Sequence, residues 1–254
     1  MFVTCGKMEV AREFFEKMEL KDVVVWNIMI SGYASKGDLN KSLNYFKGMK
    51  LAGVQPDRVT WNSIISWYSQ KGQFEEASNF FFKMRALTEF KPNVVSWTAL
   101  ITGNEQNGCS YQALQVFSQM IMERVMPNSI TIASAVSACT NLSLLQHGRE
   151  IHAYCIKTDR LVSDLLVANS LVDLYPKCRI VKVARRKFNS IKQKDLISWN
   201  AMLADYAEKG CREETFELFN EMKSLGVEPD VITWNGLITG YTQNGDGIMA
   251  LEFF

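Results

Sequence analysis

From Trp26 to Ser35 the apolar residues Trp26, Met29, Ile30 and Tyr33 stand at i, i+3, i+4 and i+7, a spacing that lays one buried stripe along a helix. Gly37 follows, where a glycine can adopt the left-handed backbone that ends a helix. The helical spacing resumes at Leu39, Leu43, Phe46 and Met49, and Gly53 with Pro56 closes it. A helical hairpin is therefore predicted, with its first helix over 26–35 and its second over 39–50.

The same pattern returns along the chain. Trp26, Trp61, Trp97, Trp199 and Trp234 are each followed by Asn or Thr, and the gaps between them are 35, 36, 102 and 35 residues. The long gap holds two degenerate copies, with Ile132 and Ala168 at the tryptophan place. Counting from three residues before that place gives a partial repeat 1–22, repeats 23–57, 58–93, 94–128, 129–164, 165–195 and 196–230, and a partial repeat 231–254. Self-similarity at a period near 35 marks a stacked array rather than a domain with one central core. A lone hairpin cannot bury its apolar face, so neighbours must stack. Phe46, Phe81, Phe117, Phe188, Phe219 and Phe254 are expected in the inter-helix core. Ala77, Ala113, Gly148, Ala184 and Ala250, with Ser42 and Thr215 as variants, suit close packing between helices.

Two repeats depart from the rest. Repeat 129–164 lacks the tryptophan and carries the string Leu145-Gln146-His147-Gly148-Arg149-Glu150-Ile151-His152-Ala153, while repeat 165–195 is short. Pro176, near the end of its first helix, is expected to shorten or kink that helix. Gly6, Ala11, Phe15, Met18 and Asp22 fit the C-terminal part of a repeat whose start is missing, and Phe254 falls inside a repeat. Both ends are thus expected to be cuts through a longer array, with any targeting peptide upstream.

Charge changes the picture only by what it removes. Lys plus Arg number 28 against 27 Asp plus Glu, so the net charge of +1 supplies no overall field for a polyanion, and any nucleic-acid groove must be built by local placement. No run of 18 or more apolar residues is present, which argues for a soluble chain with no membrane partner. Cys5, Cys109, Cys139, Cys155, Cys178 and Cys211 form no C-x-x-C pair or zinc spacing and read as reduced core or surface residues.

The strings Val59-Thr60-Trp61-Asn62-Ser63-Ile64-Ile65-Ser66, Glu76-Ala77, Glu221-Met222 and Gly226-Val227-Glu228-Pro229-Asp230 resemble the pentatricopeptide repeat family of plant organelles more than the peptide-binding tetratricopeptide family of similar period. The long repeat 129–164 followed by the short repeat 165–195 resembles the plant subclass that mixes ordinary, long and short motifs. Pro176, Arg179 where glycine is usual, and one extra residue in the repeat ending at Asn93 depart from the family pattern. The resemblance implies an all-α fold, a right-handed α-solenoid superhelix of helix-turn-helix repeats, working in a mitochondrion or chloroplast.

It also implies a site. Fifth in each repeat stand Asn27, Asn62, Thr98, Ala133, Asn169, Asn200 and Asn235; last in each complete repeat stand Asp57, Asn93, Asn128, Asp164, Asp195 and Asp230. In the family these two places read one base per repeat, and an amide or hydroxyl can both donate to and accept from a base edge. The bland reading of the last residue is a helix N-cap, worth about 1 kcal/mol. Thr60, Ser96, Thr131, Ser198 and Thr233 also stand ahead of the first helix and could cap it, which would release the last residue. Second in each repeat stand Val24, Val59, Val95, Ile130, Leu166, Ile197 and Ile232, always aliphatic. Core packing is their ordinary fate; the family implies a wedge against the base face.

The family pairings imply U for Asn27 with Asp57, C for Asn62 with Asn93, A for Thr98 with Asn128, no reading for Ala133 with Asp164, and U for Asn169 with Asp195 and for Asn200 with Asp230. The implied partner is single-stranded RNA of sequence 5′-U-C-A-N-U-U-3′, unstacked because packed helices lie about 8–10 Å apart. A zinc deaminase of the kind that accompanies this subclass needs H-x-E and P-C-x-x-C, and neither occurs. His147 and His152 lie beside Glu150 in one helix without partner cysteines. No catalytic residue, metal or cofactor is expected. The chain would address an RNA for editing, splicing or stabilisation, with editing or processing factors as further partners. A protein-binding solenoid scaffold is the alternative, and pairing of exposed array ends into a homodimer is a third reading.

Overall fold

A computed structural model of the chain describes residues 8–86, 91–158, 164–177 and 181–252. Cys5, Gly6, Cys178, Arg179 and Phe254 lie outside them. Every regular element among the described residues is an α-helix, and the chain divides into two compact halves, Met1–Pro127 and Asn128–Phe254.

In the first half α1 (Met8–Lys17) precedes three hairpins: α2 (Val23–Ser35) with α3 (Leu39–Leu51), α4 (Arg58–Gln70) with α5 (Phe74–Ala86), and α6 (Val94–Gln106) with α7 (Ser110–Met122). The first helices pack side by side, α2 on α4 and α4 on α6. The second half repeats the plan with α8 (Ser129–Asn141) and α9 (Leu145–Thr158), α10 (Leu165–Lys177) and α11 (Val181–Ser190), α12 (Leu196–Glu208) and α13 (Arg212–Ser224), and α14 (Val231–Gln243) and α15 (Gly247–Glu252). Here α8, α10, α12 and α14 pack in succession.

The turn inside a hairpin follows from one residue. At the end of α2, Gly37 has φ of 82°; its N–H donates to the Ala34 carbonyl and that of Asp38 to the Tyr33 carbonyl, the two bonds of a left-handed helix stop. Six other glycines hold the equivalent or second-helix stops in the same way, but Arg124 (φ 58°) and Ser143 (φ 54°) carry a Cβ through that region.

A staggered aromatic pair explains why one hairpin is not enough. At several junctions the phenylalanine of a second helix meets the tryptophan of the next repeat's first helix edge-on: Phe46 with Trp61 at 5.5 Å between centroids, Phe81 with Trp97 at 4.6 Å, and Phe188 with Trp199 at 4.9 Å. These edge-on pairs contribute about 0.5–1.5 kcal/mol each beyond simple burial. The expected core phenylalanines Phe46, Phe81, Phe117, Phe188 and Phe219 are all buried, as are the small residues Ser42, Ala77, Ala113, Gly148, Ala184, Thr215 and Ala250.

The effect expected of Pro176 is not seen as a shortening. α10 runs the same 13 residues as α8, because a proline in the last turn removes only one of the final bonds. The short repeat instead has a shorter second helix, with 10 residues in α11 against 13 in α13.

Candidate nucleic-acid interface

The last residue of each repeat lies at the mouth of the next first helix. Asp57, Asn93, Asn128, Asp195 and Asp230 are the N-caps of α4, α6, α8, α12 and α14, each accepting from a backbone N–H in the first turn. Asp164 takes the same role for α10, accepting from the Leu166 and Val167 N–H groups at 3.0 and 3.4 Å. The expectation that Thr60, Ser96, Thr131, Ser198 and Thr233 cap these helices in place of the last residue is therefore corrected. They sit one turn inside as the N3 residue, and Thr60, Ser96, Thr131 and Thr233 close reciprocal capping boxes.

These hydroxyls do something else. Thr60 Oγ1 accepts from the Asp57 backbone N–H and donates to Asn27 Oδ1 at 2.6 Å, while Asn27 Nδ2 donates to Asp57 Oδ1 at 2.9 Å. Fifth residue, last residue and N3 hydroxyl thus form a closed triangle across two consecutive hairpins. It recurs with Asn62, Asn93 and Ser96, with Asn169, Asp195 and Ser198, and with Asn200, Asp230 and Thr233; their amide contacts to the last residue are 3.4, 3.1 and 3.2 Å and their hydroxyl contacts 2.6 Å each. Sequence reasoning registered the hydroxyls but missed this role; the recurrence of Ser or Thr at Thr60, Ser96, Thr131, Ser198 and Thr233, with valine only at Val25 and Val167, was the available signal.

The triangle leaves defined groups over. One amide hydrogen on Asn27, Asn62 and Asn200 and the second oxygens of Asp57 and Asp230 are not used by it, whereas Asp195 Oδ2 also accepts from Asn169 Nδ2 at 3.4 Å. Burial tends to raise the Asp57 carboxyl, but the Thr60 backbone N–H and the Asn27 amide outweigh it and hold Asp57 below the usual carboxylate range. The same balance, with Ser198 and Asn169 as donors, lowers Asp195. Backbone and hydroxyl bonds from Thr233 lower Asp230. These three side chains are anionic acceptors at neutral pH.

Other expected site residues are placed differently. Ala133 offers no polar group, and Asp164 in its repeat receives a bond from the Ser129 hydroxyl at 2.6 Å. Thr98 Oγ1 donates back to the Val94 carbonyl at 2.7 Å in the first half, and Asn128 belongs to the second half. Asn235 is exposed.

The second residues decide the character of the surface. Val24, Val59, Val95, Ile130, Leu166, Ile197 and Ile232 are 48–67% exposed, so core packing is not their role. In the first half Val59 and Val95 line one cavity of about 650 Å³ together with Asn62 and Asn93. Arg58, Trp67 and Gln70 line it too, and nothing in the repeat pattern had singled them out.

The histidines stand apart from this surface. His147 is exposed; His152 Nδ1 lies 2.5 Å from the Tyr175 hydroxyl, and burial pushes its pKa down to about 4. Of the cysteines, Cys139 and Cys155 are buried and Cys109 and Cys211 half-buried, all as free thiols. No described helix is long and apolar enough to cross a membrane.

Comparison with known proteins agrees with the geometry. Models of the PPR repeat family match residues 21–60 and 194–243, a PPR repeat model matches 59–87, and a pentatricopeptide repeat domain model matches 83–141. An Arabidopsis thaliana chloroplastic pentatricopeptide repeat-containing protein, DOT4, is 38% identical over 91% of this chain and 30% of its own length. A mitochondrial one from the same plant is 31% identical over 91% of this chain and 38% of its own. The chain spans about a third of the length of these curated relatives. The crystal structure of PPR10 in complex with an 18-nucleotide psaJ RNA element superposes with a TM-score of 0.67 at 20% identity, over 99% of this chain and 43% of that one.

Proposed function

Because this chain belongs to the pentatricopeptide repeat family, we propose that it binds single-stranded RNA, one nucleobase per repeat, and addresses an organellar transcript whose chemistry is carried out elsewhere. The observation that carries this reading is the row of solvent-facing second-position aliphatics beside the amide and carboxylate groups left over by the triangles. An exposed Val, Ile or Leu second in every repeat is not spent on the core, and it supplies an apolar wall for the face of a base while the polar group meets its edge.

The leftover groups suggest which base. An anionic Asp57, Asp195 or Asp230 can only accept, so it selects an edge that donates; the N3–H of uracil does, and the spare asparagine N–H meets an adjacent uracil oxygen. Asn93 spends its Oδ1 on the cap and presents Nδ2, a donor suited to the N3 acceptor of cytosine. With A for Thr98 and Asn128, and the parallel arrangement of the family, the preferred strand is 5′-U-C-A-N-U-U-3′. We also assign the repeat boundaries given above, and with them the mixed ordinary, long and short subclass, on the helix lengths of α9 and α11. The chloroplastic and mitochondrial relatives favour an organelle as the site of action.

Bases read one per repeat are too far apart to stay stacked, so duplex RNA should bind poorly. Affinity should fall with salt, but on a shallow slope given the net charge of +1. The test is a fluorescence-anisotropy titration of 5′-UCANUU-3′ against a scrambled hexamer, with the triple substitution of Asn27, Thr98 and Asn200 to alanine as a second arm. Equal affinities for the two RNAs reject the reading. A triple variant with unchanged RNA preference rejects it as well.

A further inference from the structure

Trp67 is tenth in its repeat, a place held by the small residues Gly32, Gly103, Ala138 and Gly240 in four other repeats and by Leu174 and Asp205 in the remaining two. In repeat 94–128 the place is Gly103, where an added Cβ would lie 2.4 Å from the Ser69 Cβ and 2.9 Å from the Ser69 backbone. In repeat 231–254 it is Gly240, where a Cβ would come within 2.7 Å of the Ala207 Cβ, and in repeat 129–164 it is the buried Ala138. Between α2 and α4 an indole stands at this place, and it lines two cavities. The cavity of about 650 Å³ that begins at Asn62 continues to Trp67 and to Ser31, Ala34 and Ser35 on α2. A second cavity of about 460 Å³ is lined by Trp67 and the Gly37–Asn40 turn.

The first cavity is larger than one base needs. Pockets of about 300–1,000 Å³ hold drug-sized ligands, and a pyrimidine wedged between Val59 and Val95 fills only part of it. The remainder has the chemistry of a base site: an aromatic face from Trp67, the Gln70 amide, and serine hydroxyls at Ser31, Ser35 and Ser66. The indole N–H is sealed from solvent without an acceptor, so the ring offers its face rather than a hydrogen bond. The space is continuous with the slot of the second reading pair and lies at the step between the repeats assigned to U and C.

We infer that the cleft between α2 and α4 accepts one additional nucleobase of the bound strand, stacked on Trp67 and outside the one-base-per-repeat count, so that this step of the array accommodates an inserted nucleotide. The inference rests on the RNA-binding reading above and adds a specificity element to it. Base–aromatic stacking is sequence-tolerant because every base has a π face, so the inserted base contributes length, not identity.

The test measures affinities of the full chain for 5′-UCANUU-3′, for 5′-UGCANUU-3′ with a guanosine inserted at the U–C step, and for 5′-UCGANUU-3′ with it inserted at the C–A step, where Gly103 closes the gap. The expected result is that the U–C insertion binds within twofold of the hexamer or tighter, while the C–A insertion loses more than tenfold. Trp67→Ala should weaken the U–C insertion roughly 5- to 150-fold, the loss of one stacked base, and leave the hexamer within twofold; Trp67→Phe should retain the insertion. Equal losses for the two insertions overturn the inference. So does a Trp67→Ala variant that weakens hexamer and insertion alike, which marks Trp67 as a structural spacer only. If none of the three RNAs binds, the RNA-binding reading itself has failed, an outcome distinct from both.

Discussion

Asn93→Asp separates the two tasks carried by one side chain. Asn93 Oδ1 accepts from the Val95 and Ser96 N–H groups at 3.1 and 3.3 Å and from Asn62 Nδ2 at 3.4 Å, and all three bonds are kept by a carboxylate. Asn and Asp are nearly equivalent N-caps, so the melting midpoint should stay within about 0.5 kcal/mol of the wild type. What changes is the free atom. The amide donor becomes a second carboxylate oxygen, as at Asp57, where the asparagine partner sits at 2.9 Å. A donor facing the cytosine N3 becomes an acceptor facing an acceptor, while uracil N3–H gains a partner. One matched edge contact discriminates by about 1–3 kcal/mol, so the preference between 5′-UCANUU-3′ and 5′-UUANUU-3′ should invert by roughly 5- to 150-fold in Kd ratio. Anisotropy titrations of both RNAs with both proteins, beside a urea melt, give the answer. An unchanged ratio at unchanged stability refutes the assignment of Asn93 as a reader; an unchanged ratio with a large stability loss refutes the capping equivalence.

Three further outcomes follow from the fold. Gly103→Ala drives a Cβ to 2.4 Å from that of Ser69 and should cost roughly 1–3 kcal/mol by overpacking, read as a lower urea midpoint; no change would mean that α4 and α6 separate freely. Arg124→Gly and Ser143→Gly relieve the left-handed backbone at φ of 58° and 54° and should each raise stability by about 0.5–1 kcal/mol, and a decrease by either would show the side chain to be bonded into the turn. His152, with its pKa held down from 6.5 to about 4 by burial, stays neutral in the fold while the unfolded chain takes up a proton. Stability is therefore full above pH 6.5 and falls as pH drops from 6.5 to 4. The whole shift corresponds to roughly 3 kcal/mol, which partial solvent screening reduces to on the order of 1–2 kcal/mol; His152→Gln should flatten that part of the stability profile.

Much of this architecture was legible because the signals were local and repeated. Trp26, Phe46, Gly37 and Pro56 mark helix, core, turn and closure within one period, and the same marks recur often enough to fix the hairpins without any long-range inference. Less legible was what depends on how neighbouring hairpins meet. The exposure of Val59 is not encoded in its side chain, since a valine at a helix start is as easily buried; it follows from the cavity left open between α2 and α4, which Val59 lines with Ser31 and Ala34. The register of Thr60 was misplaced by one turn because the cap and N3 positions use overlapping residue types. Trp67 escaped notice because its apolar character fits a core stripe, and only the closeness of Gly103 to Ser69 shows how unusual an indole is there.

The triangles of amide, carboxylate and hydroxyl bear on how such an array changes over generations. The residue types that start a helix well are few, and asparagine and aspartate, which imply different bases here, are both among them. A codon change from one to the other rewrites one letter of the message while the scaffold stays as sound as before. Descent can therefore wander between addresses along a level path, with each step visible to selection only through the transcript it now finds.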